Sequence, residues 1–335
     1  MSDLNNIALK ILKNGKGILA ADESTGTMTK RLEAVKVPST PENRLLFRET
    51  LFSASSMTEC IGGVILYDET IKQKSINKHS IPELISKMGS TPGIKVDTGA
   101  KVLANSPDEK ITEGLDDLRD RLKEYYKLGA RFTKWRGVYN IAKEYPSKLS
   151  IYSNAHALAR YSALVQECNM VPIVEPEVLM DGNHSAQDCF IKTSEIIKKC
   201  FEELILHKID LTGVILKPNM ILSGADAEKK IPSKEVAKLT IECIKNSVPS
   251  EVPGIAFLSG GQTEVEATEN LNLINKENST NFIMSYSYGR ALQQSALKHW
   301  SKDLNDIEGT QKVFNHRAKM NTLAAQSKWS KELEN

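Results

Sequence analysis

The sequence predicts an α/β fold. It reads as one (β/α)8 barrel domain over residues 1–335, with an extra helix at residues 1–16 and a C-terminal helix and short tail at residues 301–335. Three observations predict it. Eight short apolar runs of strand length recur, at residues 17–21, 63–67, 93–96, 130–135, 171–174, 213–216, 254–258 and 282–286. Segments of helical period separate them, and alternating strands and helices build a parallel sheet. Each run also ends in polar or charged residues. A closed barrel gathers such ends into one mouth, whereas an open sheet spreads them along a crevice.

Taken in order, the first run leads to Asp22. Thr40 then caps a helix over residues 41–55, with Pro41 in its first turn. The second run leads to Asp68, and the third to Lys95 and Asp97. Leu115, Leu118, Leu122 and Tyr125 form one stripe of a helix over residues 115–128. The fourth run gives Lys134 and Arg136, followed by a helix over 154–168. The fifth gives Glu175 and Glu177, followed by a helix over 186–206. The sixth ends at Lys217, where Pro218 and Asn219 stop the strand, and a helix covers 233–246. The seventh gives Ser259 and a helix over 263–273. The eighth gives Ser287 and Arg290 before helices over 291–300 and 313–325. Strand residues two apart share a face, so Lys95 points with Asp97, Lys134 with Arg136, and Glu175 with Glu177.

Composition excludes several classes. The chain carries 44 Lys plus Arg against 42 Asp plus Glu, a net charge of +2, which argues against nucleic-acid and membrane-surface partners. No apolar stretch approaches the ~18 residues of a membrane span, and the N-terminus lacks the apolar core of a signal peptide. The five cysteines form no Cys-x-x-Cys pair, which fits free thiols in a reducing, cytoplasmic compartment. There is no phosphate-binding Gly-x-x-x-x-Gly-Lys loop and no dinucleotide fingerprint. The six histidines show no zinc-site spacing along the chain, and His184 reads as a loop residue.

The chemistry concentrates at the strand ends. A single lysine there reads as a side chain that snorkels to solvent. Several lysines beside carboxylates invite another reading, because lysine is the cation whose pKa moves. A free lysine titrates near ~10.4, whereas attack on a carbonyl at neutral pH needs ~7–8. Burial and a second ammonium both push it down, so Lys134 beside Lys217 is the expected device. Lys217 then forms a Schiff base that turns a ketone into an electron sink. Glu175 and Glu177 supply a carboxylate pair for proton transfer, and Asp22 a further base. Two glycine-rich turns, FLSGGQ (257–262) and SYGRA (287–291 from Ser287), lie where this barrel commonly binds phosphate. Arg290 adds a charged fork at a helix start. Ser24, Thr27 and Arg31 can hold a second phosphate across the mouth.

The motifs GILAADES, GIKVDTG, FTKWRG, VPIVEPEVL, GVILKPNM, FLSGGQ and SYGRALQQSALKHW closely resemble class I fructose-bisphosphate aldolase, in order from about Lys16 to Trp329. The resemblance implies a metal-free, cofactor-free (β/α)8 enzyme, usually a homotetramer. Such an enzyme splits fructose 1,6-bisphosphate into dihydroxyacetone phosphate and glyceraldehyde 3-phosphate in glycolysis, and reverses the reaction in gluconeogenesis. It implies Lys217 as the Schiff-base lysine, Glu175 as the main proton-transfer residue with Glu177 assisting, and Asp22 and Lys134 at the carbinolamine and cleavage steps. It assigns Ser259, Gly260, Gly261, Ser287, Gly289 and Arg290 to the C1-phosphate. Ser24, Thr27, Arg31 and Lys95 go to the other end of the substrate, and Arg136 joins the substrate-binding set. Thr27 stands where many members have serine, Thr212 where glutamate is common, and Thr98 where lysine is common. Animal members continue past the match to a terminal tyrosine that assists proton exchange. This chain's last tyrosine is Tyr288, so proton exchange and the choice between bisphosphate and monophosphate are expected to differ. Another Schiff-base barrel, or a silent copy of the fold, stays open at this point. The paired phosphate modules argue against the former, and the intact lysines and carboxylates against the latter.

Overall fold

The computed structural model describes residues 3–142 and 144–335. Among the described residues ten strands form: β1 (Gly17–Ala20), β2 (Ile61–Leu66), β3 (Thr91–Lys95), β4 (Gly99–Leu103), β5 (Ser106–Glu113), β6 (Phe132–Tyr139), β7 (Val171–Val178), β8 (Ile215–Leu216), β9 (Gly254–Phe257) and β10 (Ile283–Tyr288). Eight of them close into a parallel barrel in the order β1-β10-β9-β8-β7-β6-β3-β2, while β4 and β5 pair as a separate hairpin. The expected fold class is what forms.

Period-two alternation sorts the strand side chains. Ile18, Ala20, Ile65, Phe132, Val171, Ile173, Ile215 and Ala256 fill the barrel interior. Their neighbours Leu19, Val64, Ile94, Trp135, Val174, Leu216 and Phe257 face outward under the helices. The same alternation fixes the mouth. Two residues beyond Ala20 is Asp22, beyond Phe132 is Lys134, beyond Ile173 is Glu175, and beyond Ile215 is Lys217. The inward face of each strand therefore turns from apolar to charged in one step.

The barrel floor is closed by the N-terminal helix Asp3–Leu12, whose Ala8, Ile11 and Leu12 join the interior core. The approach is close: a Cβ at Gly62 would sit 1.8 Å from the Ile11 carbonyl oxygen, so only glycine lets this helix seat on β2. The expected helix over residues 1–16 is thus Asp3–Leu12 followed by a 3-10 turn at Lys13–Gly15; residues 1 and 2 lie outside the described residues. At the other end, a helix runs Ile307–Ala325 and a 3-10 turn Lys331–Glu334. Arg317 holds that turn through two 2.7 Å bonds to Glu334, and Trp329 Nε1 donates to Glu334 Oε1 at 2.7 Å.

Several boundaries differ from expectation. The sixth run, expected over 213–216, is a strand only at Ile215–Leu216. The Asp210 side chain accepts from the Thr212 N–H and hydroxyl, which turns Leu211–Gly213 into a 3-10 helix. β6 and β7 extend through Tyr139 and Val178, so Lys134, Arg136, Glu175 and Glu177 lie within strands rather than beyond them. The helix expected from residue 154 begins at Lys148, where Ser147 caps it, and the last long helix begins at Ile307 under an Asp306 cap. The β4–β5 hairpin carries too few buried apolar residues to announce itself, and the helix Ile81–Lys87, at 7 residues, is too short to show a helical period. All five cysteines are free. Among the described residues, no helix is long and apolar enough to cross a membrane.

Candidate active site

The C-terminal strand ends surround a cavity of about 620 Å³. It is lined by Asp22, Ser24, Thr27, Arg31, Lys95, Lys134, Arg136, Glu175, Glu177, Lys217, Ser259, Gly260, Gly261, Ser287, Gly289 and Arg290, whereas Asp68, at the end of the second run, turns to Tyr125 and Lys72 instead. His184 does not line it.

Two lysines lie at its base, each only 4% exposed. Lys217 Nζ is 3.0 Å from Glu175 Oε1, and Lys134 Nζ is 3.2 Å from Glu175 Oε2 and 2.7 Å from Asp22 Oδ2. One carboxylate thus touches both amines. Strand register produces this: Lys134 pairs with Ile173 and Lys95 with Lys134 across β3, β6 and β7. The Lys217 N–H donates to the Val174 carbonyl at 2.8 Å, which continues the β7–β8 pairing past the end of β8. Asn219 anchors the following loop, its Oδ1 accepting from the Val178 N–H at 3.0 Å and its Nδ2 donating to Thr193 at 3.1 Å.

Electrostatics fixes most of these protonation states. Burial alone would push the Asp22 carboxyl up, but Lys134 and Lys217 outweigh it and hold that carboxyl well below the usual range. Glu175 behaves alike: burial raises it, while Lys134, Lys217 and Arg136 bring it below its ordinary value. Burial works against the Lys134 ammonium, yet Asp22, Glu175 and Asp97 raise its pKa above the ordinary lysine range. Both carboxylates and the Lys134 ammonium are therefore charged at neutral pH.

Lys134 was expected to stand beside Lys217 as a second cation among carboxylates. The two amines are joined through Glu175, which contacts both, and Asp22 holds Lys134 from the other side. Glu175 Oε2 is within ion-pair distance of Lys134 but makes no well-aligned hydrogen bond among the described residues.

Higher in the mouth, Arg136 pairs with Glu177 and Lys95 with Asp97. Asp97 Oδ1 also accepts from the Gly99 N–H at 3.2 Å. On the far side, Gly260 and Gly261 take φ of 46° and 78°, a left-handed pair that aims backbone N–H groups at an anion. The Ser287 hydroxyl is buried with no hydrogen-bond partner among the described residues. The Arg290–Trp300 helix begins after Gly289 without a side-chain cap, so its first N–H groups also face this corner.

The Ala20–Gly26 segment does not sit across the mouth as expected. β1 pairs directly with β10, which makes this loop the neighbour of the Ser287–Arg290 turn. Arg31 Nη2 lies 3.7 Å from where a Gly289 Cβ would stand. Ser24 caps the Thr25–Ala34 helix, its hydroxyl 3.1 Å from that of Thr27.

Sequence reasoning missed Glu23. It is buried and ion-paired with Arg31 and Arg48, and it accepts from Gln293 Nε2 at 3.2 Å, so it holds Arg31 at the rim. Its adjacency to Asp22 was visible; its partners, far along the chain, were not.

The family model for class I fructose-bisphosphate aldolase, described as glycolytic, matches residues 3–335. A probable fructose-bisphosphate aldolase class 1 from Xylella fastidiosa is 46% identical over 330 residues, covering 98% of this chain and 99% of that one. A non-muscle fructose-bisphosphate aldolase from Lethenteron camtschaticum is 47% identical, covering 98% and 90%. The solved structure of fructose-bisphosphate aldolase from Plasmodium falciparum, in complex with TRAP and a small-molecule inhibitor, superposes with a TM-score of 0.96 at 42% identity, covering 98% and 95%. A barrel with two buried lysines on one glutamate, matched over its full length by these relatives, belongs to the class I fructose-bisphosphate aldolase family.

Proposed function

We propose that this chain cleaves fructose 1,6-bisphosphate through a Schiff base on Lys217. The observation that carries this reading is the contact of Glu175 with both Lys217 and Lys134 on the cavity floor. In this reading the Lys217 amine, its proton passed to Glu175, adds to the ketone carbon at C2. Protonation of the carbinolamine oxygen releases water and leaves the iminium. A carboxylate then takes the C4 hydroxyl proton, the C3–C4 bond breaks, and its electron pair moves into the iminium to give an enamine. Glyceraldehyde 3-phosphate departs. Reprotonation at C3 and addition of water return the amine and dihydroxyacetone phosphate.

Glu175 and Asp22 are the proton carriers next to the amines, and Glu177 assists from beside Arg136. Lys134 holds the carboxylates and stabilises charge on the leaving oxygen. Ser259, Gly260, Gly261, Ser287, Gly289 and Arg290 bind the C1-phosphate. Ser24, Thr27, Arg31, Lys95 and Arg136 serve the remainder of the substrate, and the position of Arg31 next to Gly289 lets it reach the C1-phosphate as well.

The test is a cleavage assay with and without excess EDTA. The expected result is triose phosphate formation at an unchanged rate; abolition by chelation would replace the lysine reading with metal-assisted enolate chemistry. We also infer a cytosolic homotetramer. Two cytosolic aldolases of Arabidopsis thaliana are 45% identical to the chain, and Ile191, Ile205 and Leu206 leave apolar surface exposed on one helix. Sedimentation at a mass of one 37.2 kDa chain would refute the assembly.

A further inference from the structure

On the outer helical layer, away from the barrel mouth, three side chains converge that the aldolase reaction does not use. His156 lies on the Lys148–Glu167 helix, Glu203 near the end of the Ala186–Leu206 helix, and His207 caps that end. One potential ligand atom from each lies within 4.8 Å of the others. The imidazole rings stand edge to face with centroids 5.0 Å apart. From this geometry we propose that His156, Glu203 and His207 bind a divalent transition-metal ion of the zinc type.

The donor set chooses the ion. Two imidazoles and one carboxylate suit zinc, nickel or copper, whereas magnesium and calcium require oxygen ligands. The separations already fit a coordination edge. His156 Nδ1 is 3.1 Å from Glu203 Oε2, close to the ~3.0–3.4 Å between adjacent donors around an ion with bonds of ~2.1 Å. The ion takes the place of the contact these two atoms now make.

The surrounding contacts orient the ligands. His207 Nδ1 donates to the Glu203 carbonyl at 2.8 Å, which leaves Nε2 as its basic nitrogen. Lys199 Nζ holds the other Glu203 oxygen, Oε1, at 3.2 Å, so Oε2 remains for the metal. Glu203 is 9% exposed and fixed, while the half-exposed His156 can turn to close the remaining gap and admit the ion. Three protein ligands leave room for water to complete the shell. The bound ion ties together the helices that follow β6 and β7, the strands carrying Lys134 and Glu175. The site was hidden in the sequence because its ligands come from two helices, 47 positions apart.

Calorimetric titration of the EDTA-stripped, dialysed protein with zinc chloride tests this, with nickel, magnesium and calcium in parallel. One zinc per chain is expected, with nickel accepted and the two hard ions ignored. His156→Ala and His207→Ala should each weaken zinc binding at least tenfold and remove the zinc-induced rise in melting temperature. Cys168→Ser, which removes the partly exposed thiol, should change neither. His156→Ala should retain full aldolase activity, since it touches nothing in the mouth. Zinc affinity unchanged in both histidine variants, no stoichiometric binding to the parent chain, or equal binding of magnesium would each overturn the proposal.

Discussion

Lys217→Ala is expected to abolish cleavage, lowering kcat by at least about four orders of magnitude, the scale seen when a covalent nucleophile is removed. The side chain is buried, with its Nζ 3.0 Å from Glu175 Oε1. Borohydride added with dihydroxyacetone phosphate should fix a stable adduct on the peptide holding Lys217 in the parent chain, and none in the variant. The substitution also removes a buried partner of Glu175, but Glu175 keeps Lys134 and Arg136 nearby, so the fold should survive. Circular dichroism checks that point independently. An adduct mapped to Lys134 instead would reverse the roles of the two lysines.

Glu175→Gln should be the next most damaging change. It keeps the shape and removes the carboxylate that contacts both amines and is proposed to accept the proton. A loss of about 10²–10⁴ in kcat follows from the usual contribution of a placed acid–base group. Adduct trapping should slow as well, since Lys217 then lacks the carboxylate 3.0 Å away that is proposed to receive its proton. Lys134 retains Asp22 at 2.7 Å, so its position should hold. A kcat within a few-fold of the parent chain would mean that Asp22 or Glu177 carries the protons.

The barrel was legible because its inward and outward faces differ chemically along every strand. Residues such as Phe132, Lys134 and Arg136 share one face, and apolar Trp135 marks the other. That alternation alone places the charges in one mouth. What it could not give is the sharing of Glu175 by two lysines. That depends on register between β6, β7 and β8, set by backbone pairing that no single strand encodes. The β4–β5 hairpin escaped for a different reason. Only three of its thirteen strand residues are buried, two of them the polar Glu109 and Thr112, so no apolar period marks it. Glu23 escaped because its partners Arg48 and Gln293 come from distant helices.

The helix that floors the barrel makes traffic through this molecule one-ended. Ala8, Ile11 and Leu12 stopper the lower opening, so sugar, water and products all share the upper doorway. In the proposed reaction one triose stays tethered to Lys217 once the carbon chain is split, so the free aldehyde would leave by that doorway first and the tethered ketone, after hydrolysis, second.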